Sequence, residues 1–304
     1  MEEKLISIPN NVPAKKSFGG LDEEYSNLKK AKVVVLQVPY EKTTTYKTGT
    51  KNGPDAIVDA SANLELFDEE LNQETFKIGI HTMNGLAIAD LAPEDMVEQV
   101  RLSVLEVLTG GKFPAILGGE HSITPAAVEA FKELYPDLSV LQLDAHCDLR
   151  DEYRGSKHNH ACAARRISEI CPLVQVGARS LSKEEKDFLN ANGNAGKVKS
   201  VTVYHILDKP FWKDEVSKAL TGHVYVTIDL DVFDPSLVPA VGTPEPGGLG
   251  WYEMMDLLRT IAEDHKVVGF DIVELCPIKD QPASDFLAAK LLYRFLGYVF
   301  GNKK

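Results

Sequence analysis

Short apolar runs rich in Val, Ile and Leu recur along this chain at 32–38, 76–80, 113–117, 139–145, 173–178, 200–206, 223–230 and 266–273. Between them lie longer stretches whose apolar residues return at helical spacing. Near-continuous apolar runs suit strands covered on both faces, as in a parallel sheet, and the regular exchange of strand and helix gives the fold class. The pattern predicts an α/β protein, a three-layer α/β/α sandwich around a parallel eight-stranded sheet. With 304 residues and no Gly/Ser- or Pro-rich linker, repeat or low-complexity segment, residues 31–304 read as one domain. Residues 1–30 mix charge with Pro and Asn and read as an N-terminal arm, neither signal peptide nor membrane span.

Two of the runs turn acidic where they end. Ser139–Leu143 leads into Asp144, Ala145, His146, Cys147 and Asp148, and Val224–Ile228 leads into Asp229, Leu230 and Asp231. Strand alternation would point Asp144, His146 and Asp148 one way, and Asp229 with Asp231 likewise. The C-terminal edge of an open α/β sheet is where ligands bind. Four carboxylates gathered there would repel one another unless divalent cations lay between them. Carboxylate with a minority of imidazole suits a hard or borderline ion: Mn²⁺, with Fe, Co, Ni or Zn left open. A sixth candidate is His121, which follows Gly118-Gly119-Glu120 at the end of the 113–117 run; Thr124-Pro125 reads there as a helix cap and first turn, and the glycines as permitting positive φ or close approach. Asp234-Pro235 reads as a turn.

The ordered set Gly118-Gly-Glu-His121-Ser, Asp144-Ala-His-Cys-Asp148, His160, Thr227-Ile-Asp-Leu-Asp-Val-Phe-Asp-Pro235 and Asp271-Ile-Val-Glu274 resembles the arginase/agmatinase (ureohydrolase) family over roughly residues 31 to 300. The resemblance implies an arginase-like fold, two Mn²⁺ per chain, hydrolysis of a guanidino group to an amine and urea, and a homotrimer or homohexamer. It implies that His121 and Asp148 are terminal ligands of one ion and His146 and Asp231 of the other, with Asp144 and Asp229 bridging. It further implies that a metal-bridging hydroxide attacks the guanidinium carbon, that Asp148 relays a proton to the leaving amine, that Glu274 grips the guanidinium, and that His160 shuttles protons. His158, two residues earlier, has no counterpart in the family pattern and reads as a solvent-facing or rim residue.

Composition narrows the substrate. A net charge of −12 disfavours nucleic acid and suits a small cation. Four cysteines, Cys147, Cys162, Cys171 and Cys276, show no paired spacing, which reads as reduced thiols in a cytoplasmic compartment. The stretch Leu149–Ser156 lacks the Asn and Ser/Thr pattern with which arginase-like sequences hold an amino-acid head group. Asp151 and Glu152 stand there instead and suit a substrate ending in an amine, with agmatine the first choice. Aminopropylagmatine, guanidinobutyrate, guanidine and arginine remain alternatives, Arg150 being able to meet a carboxylate. A non-catalytic relative would need a broken ligand set, and a metal-dependent deacetylase would carry tandem histidines, of which there are none.

Overall fold

The computed structural model describes residues 16–191 and 197–301. Eight strands, β1 (Val33–Val38), β2 (Ile80–Thr82), β3 (Phe113–Gly118), β4 (Leu138–Leu143), β5 (Leu173–Val176), β6 (Val198–Val201), β7 (His223–Asp229) and β8 (Lys266–Val273), form one sheet in the order β2-β1-β3-β8-β7-β4-β5-β6. Every pairing is parallel. The helices are α1 (Glu23–Ser26), α2 (Gly53–Ser61), α3 (Pro93–Thr109), α4 (Thr124–Leu134), α5 (Ala163–Ile170), α6 (Lys183–Asn190), α7 (Val203–Asp208), α8 (Trp212–Ser217), α9 (Trp251–Asp264) and α10 (Ala283–Phe300).

Both faces of the sheet are covered, which is why the strands read as continuous apolar runs. In β1, Val33 and Val35 belong to the core layer that also takes in residues of α2, α8, α9 and α10, while Val34, Leu36 and Val38 belong to the opposite layer, with residues of α3, α4 and α5. The three-layer α/β/α architecture follows. Among the described residues no helix is long and apolar enough to cross a membrane.

Two expected strands are shifted. The run 76–80 is mostly a 3₁₀ turn, Thr75–Ile78, whose Phe76 ring packs edge-on against Tyr25 at 4.9 Å; Gly79, at φ 79°, then turns the chain into β2. The run 200–206 is divided because Thr202 accepts a hydrogen bond from the His205 amide, capping α7 and ending β6 at Val201. Of the arm expected over 1–30, residues 1–15 lie outside the described residues. From Phe18 onward the chain packs on the β2 edge: Phe18 is buried, its amide donates to Thr82 Oγ1 at 2.8 Å, and Ser26 O lies 2.8 Å from His81 Nδ1.

Candidate metal centre and active site

The middle four strands of the sheet, β3, β8, β7 and β4, each carry site residues just beyond their C-terminal ends. The gathering is made by turns rather than by strand alternation. β4 stops at Leu143 and β7 at Asp229, after which Leu230–Val232 form a 3₁₀ turn. Asp229 Oδ1 accepts the Asp231 amide (2.9 Å), Asp231 Oδ1 the Ala145 amide (3.0 Å) and Asp144 Oδ1 the His146 amide (2.6 Å). Each of these carboxylates is thus anchored through one oxygen to the backbone. Cys147 is buried away in the core between β4 and the helices, its thiol pushed up first by burial.

His121 arrives from the loop after β3. Gly119 is needed there for close approach, not positive φ, since a Cβ would lie 2.1 Å from Tyr40 O. Thr124 does not cap α4; it lies inside the first turn, and its hydroxyl donates to Asp271 Oδ2 at 2.9 Å. Asp271 is fully buried on β8 and also accepts from Tyr225 Oη (2.7 Å) and Thr227 Oγ1 (2.6 Å). With its proton committed to Asp271, Thr227 Oγ1 accepts from His121 Nε2–H at 2.9 Å. That fixes Nε2 as a protonated nitrogen and leaves Nδ1 to face the carboxylates, where its lone pair can serve an ion in place of a proton.

The donor set fits cations. His121 Nδ1 is a buried nitrogen with no hydrogen-bond partner, yet Asp144 Oδ2, Asp148 Oδ2 and Asp229 Oδ2 stand 3.1, 3.4 and 3.4 Å from it. His146 Nδ1 lies 2.9 Å from Asp231 Oδ2 and 3.7 Å from Asp144 Oδ1. Two donor groups result, His121–Asp144–Asp229 and Asp144–His146–Asp231, and they share Asp144. Such a set of carboxylates and imidazoles without thiolate suits hard or borderline divalent ions. In the protein alone, protons substitute for cations. Burial, then neighbouring Asp231 and Asp144, raises Asp229 well above the carboxylate range, and burial with Asp144 does so for Asp148. Burial pulls His146 down, but Asp231, with Asp144 and Asp148, more than offsets it and lifts the imidazole to about 11.

A cleft of about 280 Å³ opens over the cluster, lined by His146, Asp148, His160, Asp229, Asp231 and Glu274, with Tyr46, Arg150, Tyr153 and Leu181 among its outer residues. Glu274 and Asp148 occupy the left-handed backbone region, φ 67° and 50°. Such conformations cost about 1–3 kcal/mol apiece and cluster at functional sites. Glu274 Oε1 accepts the His121 amide at 2.7 Å. Burial, and then Glu120, pushes the Glu274 carboxyl to about 8. His160 lines the wall, brought down to about 4 chiefly by burial and then by the neighbouring imidazoles. His158 is not among the lining residues.

Nor are Asp151 and Glu152. Asp151 turns to α5, 2.7 Å from Arg166 Nη2, and Glu152 is exposed outside the cleft. The residues from that stretch which do line it are Arg150 and Tyr153, the guanidinium standing 4.8 Å from the ring centroid. Supporting residues unassigned by motif reading include Thr227, Asp271, Gln142, whose amide donates to Asp144 Oδ2 (2.7 Å), and Glu120 with Thr43.

Residues 31–297 match the model of the arginase family. The chain is 39% identical over 279 residues to an N(1)-aminopropylagmatine ureohydrolase from Synechocystis sp., covering 88% of this chain and 89% of that one. It is 37% identical over 282 residues to an agmatinase from Pyrococcus horikoshii, covering 89% and 93%. The agmatine ureohydrolase of Thermoplasma volcanium superimposes with a TM-score of 0.83 at 32% identity, covering 96% of both chains. With the parallel sheet and the clustered Asp and His side chains already in place, these likenesses make the chain a member of the arginase family, a ureohydrolase.

Proposed function

We propose that this ureohydrolase cleaves guanidinobutyl amines: agmatine, giving putrescine and urea, or its N1-aminopropyl derivative. The observation that carries the reading is Glu274, with one oxygen held by the His121 amide and the other, among the described residues, given no donor at the cleft. A planar guanidinium can occupy that oxygen in a charge-assisted pair, and its positive charge favours the ionised carboxylate. The relatives' names supply the tail, since both substrates so named share the guanidinobutyl chain.

Two divalent cations, Mn²⁺ by the hardness of the donors, would supply Lewis acidity and a water of lowered pKa. His121, Asp144, Asp148 and Asp229 would hold one, and His146, Asp231 and the shared Asp144 and Asp229 the other. Asp148 stands at the cleft floor, where it can carry a proton to the leaving amine. His160, uncharged at neutral pH, can accept a proton from the reacting group or from water and return it. The tail points outward past Tyr46, Tyr153 and Leu181. Asp151 and Glu152 lie off that path: neither lines the cleft, and Asp151 pairs with Arg166.

Arg150 favours a second reading, a carboxylate-ended compound such as 4-guanidinobutyrate. Urea release from the manganese-loaded protein over agmatine, N1-aminopropylagmatine, 4-guanidinobutyrate, arginine and guanidine separates the two. The first pair should lead in kcat/KM; a lead by 4-guanidinobutyrate would replace the first reading with the second.

A further inference from the structure

Thr43 lies outside every metal-ligand group, yet its hydroxyl stands between two residues of the site. Thr43 Oγ1 is 2.8 Å from Glu120 Oε1, 3.0 Å from the His160 backbone nitrogen and 3.1 Å from His160 Nδ1. Glu120 is fully buried. Its Oε2 accepts the amides of Lys42 (2.9 Å) and Thr43 (2.7 Å), and its Oε1 also accepts from Ser122 Oγ (2.6 Å). Four donors converge on one carboxylate, two of them backbone amides that can only donate.

Proton counting then fixes the direction of the chain. Burial pushes the Glu120 carboxyl up, but the Lys42 and Thr43 amides and the Ser122 hydroxyl all donate to it and favour its ionised form, which can only receive the single hydrogen of the Thr43 hydroxyl. The Thr43 oxygen is left with lone pairs, which the His160 amide and His160 Nδ1–H fill. We propose that Thr43, oriented by Glu120, is a positioning residue that holds His160 as the Nδ1–H tautomer and so leaves Nε2 as the basic nitrogen. A side chain without the hydroxyl would free the imidazole to turn or to exchange tautomers, and only part of the neutral population would then present a base correctly. The inference rests on the acid–base reading of His160, but its central claim is about tautomer and can be read without turnover.

The experiment uses ¹⁵N-histidine-labelled full chain carrying diamagnetic Zn²⁺, with His160 assigned by its loss in His160→Asn. Parent and Thr43→Ser should show Nδ1 protonated and Nε2 bare, while Thr43→Val should show a mixture. In manganese-loaded enzyme Thr43→Val should lower kcat about tenfold or more, within the roughly 10² to 10⁴-fold that general acid–base help supplies. Thr43→Ser should restore most of it, and Thr43→Val should cost nothing further in a His160→Asn background. An Nε2–H tautomer in the parent, or a Thr43→Val loss that persists without the imidazole, overturns the proposal. A fully active His160→Asn would overturn the acid–base reading, and the spectrum would still decide the role of Thr43.

Discussion

Replacing Thr227 by Val removes one oxygen at nearly constant shape and tests whether the buried relay behind His121 governs metal affinity. Two hydrogen bonds disappear: His121 Nε2–H to Oγ1 at 2.9 Å, and Oγ1–H to Asp271 Oδ1 at 2.6 Å. The first is an ordinary bond worth roughly 0.5–1.5 kcal/mol, the second a bond to a carboxylate worth roughly 1.5–3 kcal/mol. Asp271 keeps Tyr225 and Thr124, so the carboxylate stays partly satisfied. His121 keeps nothing at Nε2, and its ring loses the contact that held the tautomer. Loss of such a partner typically lowers metal affinity by 10–100-fold, about 1.4–2.7 kcal/mol. Competition titration of Mn²⁺ against a chelating dye should therefore give a Kd raised by that factor, and urea unfolding of the metal-free protein should show a loss of about 2 kcal/mol or more. Thr227→Ser should stay within a few-fold of the parent. An unchanged Kd in Thr227→Val would refute the reasoning, because the relay would then be packing alone.

Asp144→Asn should abolish tight binding at both sites, since both donor groups include that residue, while the metal-free protein should gain stability because burial and Asp231 disfavour its charge; metal analysis and thermal unfolding read the two effects. Chelated protein should lose stability as pH rises from about 6.5 toward 9: His146 has a folded value of about 11, above its unfolded value, so its contribution is complete below the unfolded value and is lost as pH rises through the folded one. The raised carboxylates act in the same direction, each extra proton bound by the folded state giving a slope of about 1.4 kcal/mol per pH unit. Manganese should flatten that slope, and a metal-free protein that instead grows more stable over this range would contradict it. His160→Asn should lower kcat with metal content retained, whereas His158→Asn, outside the cleft, should change kcat less than about twofold; steady-state kinetics giving the opposite order would exchange the two histidines. The double change Asp151→Asn, Glu152→Gln should leave the agmatine to 4-guanidinobutyrate ratio unaltered and Arg150→Ala should raise it, with a ratio that moves only in the acidic double variant counting against the cleft as described.

The carboxylates after β4 and β7 were legible because a charged residue that follows a fully apolar strand has few inexpensive roles. The relay behind them was not. Thr227 and Gln142 look neutral in a strand, and their partners come from other strands, with Thr227 and Asp271 separated by 44 residues in sequence. Glu120 reads in sequence as a minor variation beside His121, and only the fold brings it against Thr43, 77 residues away. The position of the acidic pair outside the cleft lining has a similar cause. Asp151 and Glu152 share a loop with Arg150 and Tyr153, and linear order does not tell which of four neighbours turn inward when Arg166 on a later helix offers Asp151 a partner. At the sheet edges, runs 76–80 and 200–206 carry strand-like composition, but Gly79 and Thr202 break them locally.

The position of β8 bears on how the protein comes into being at the ribosome. Among the described residues it is the last strand in sequence, yet it lies between β3 and β7 near the middle of the sheet. Until it emerges, β3 and β7 each present an unpaired edge, and the contact between the His121 amide and Glu274 must span 153 residues of chain. The donors from β4 and β7 are synthesised before Glu274, but the sheet that holds them beside His121 closes only with the final strand. We expect the ion-binding cluster to mature only once β8 has emerged, with stalled chains ending before β8 remaining protease-sensitive in Mn²⁺ and chains that include β8 through α10 acquiring protection; equal protection of both would show that the earlier strands assemble without their central partner.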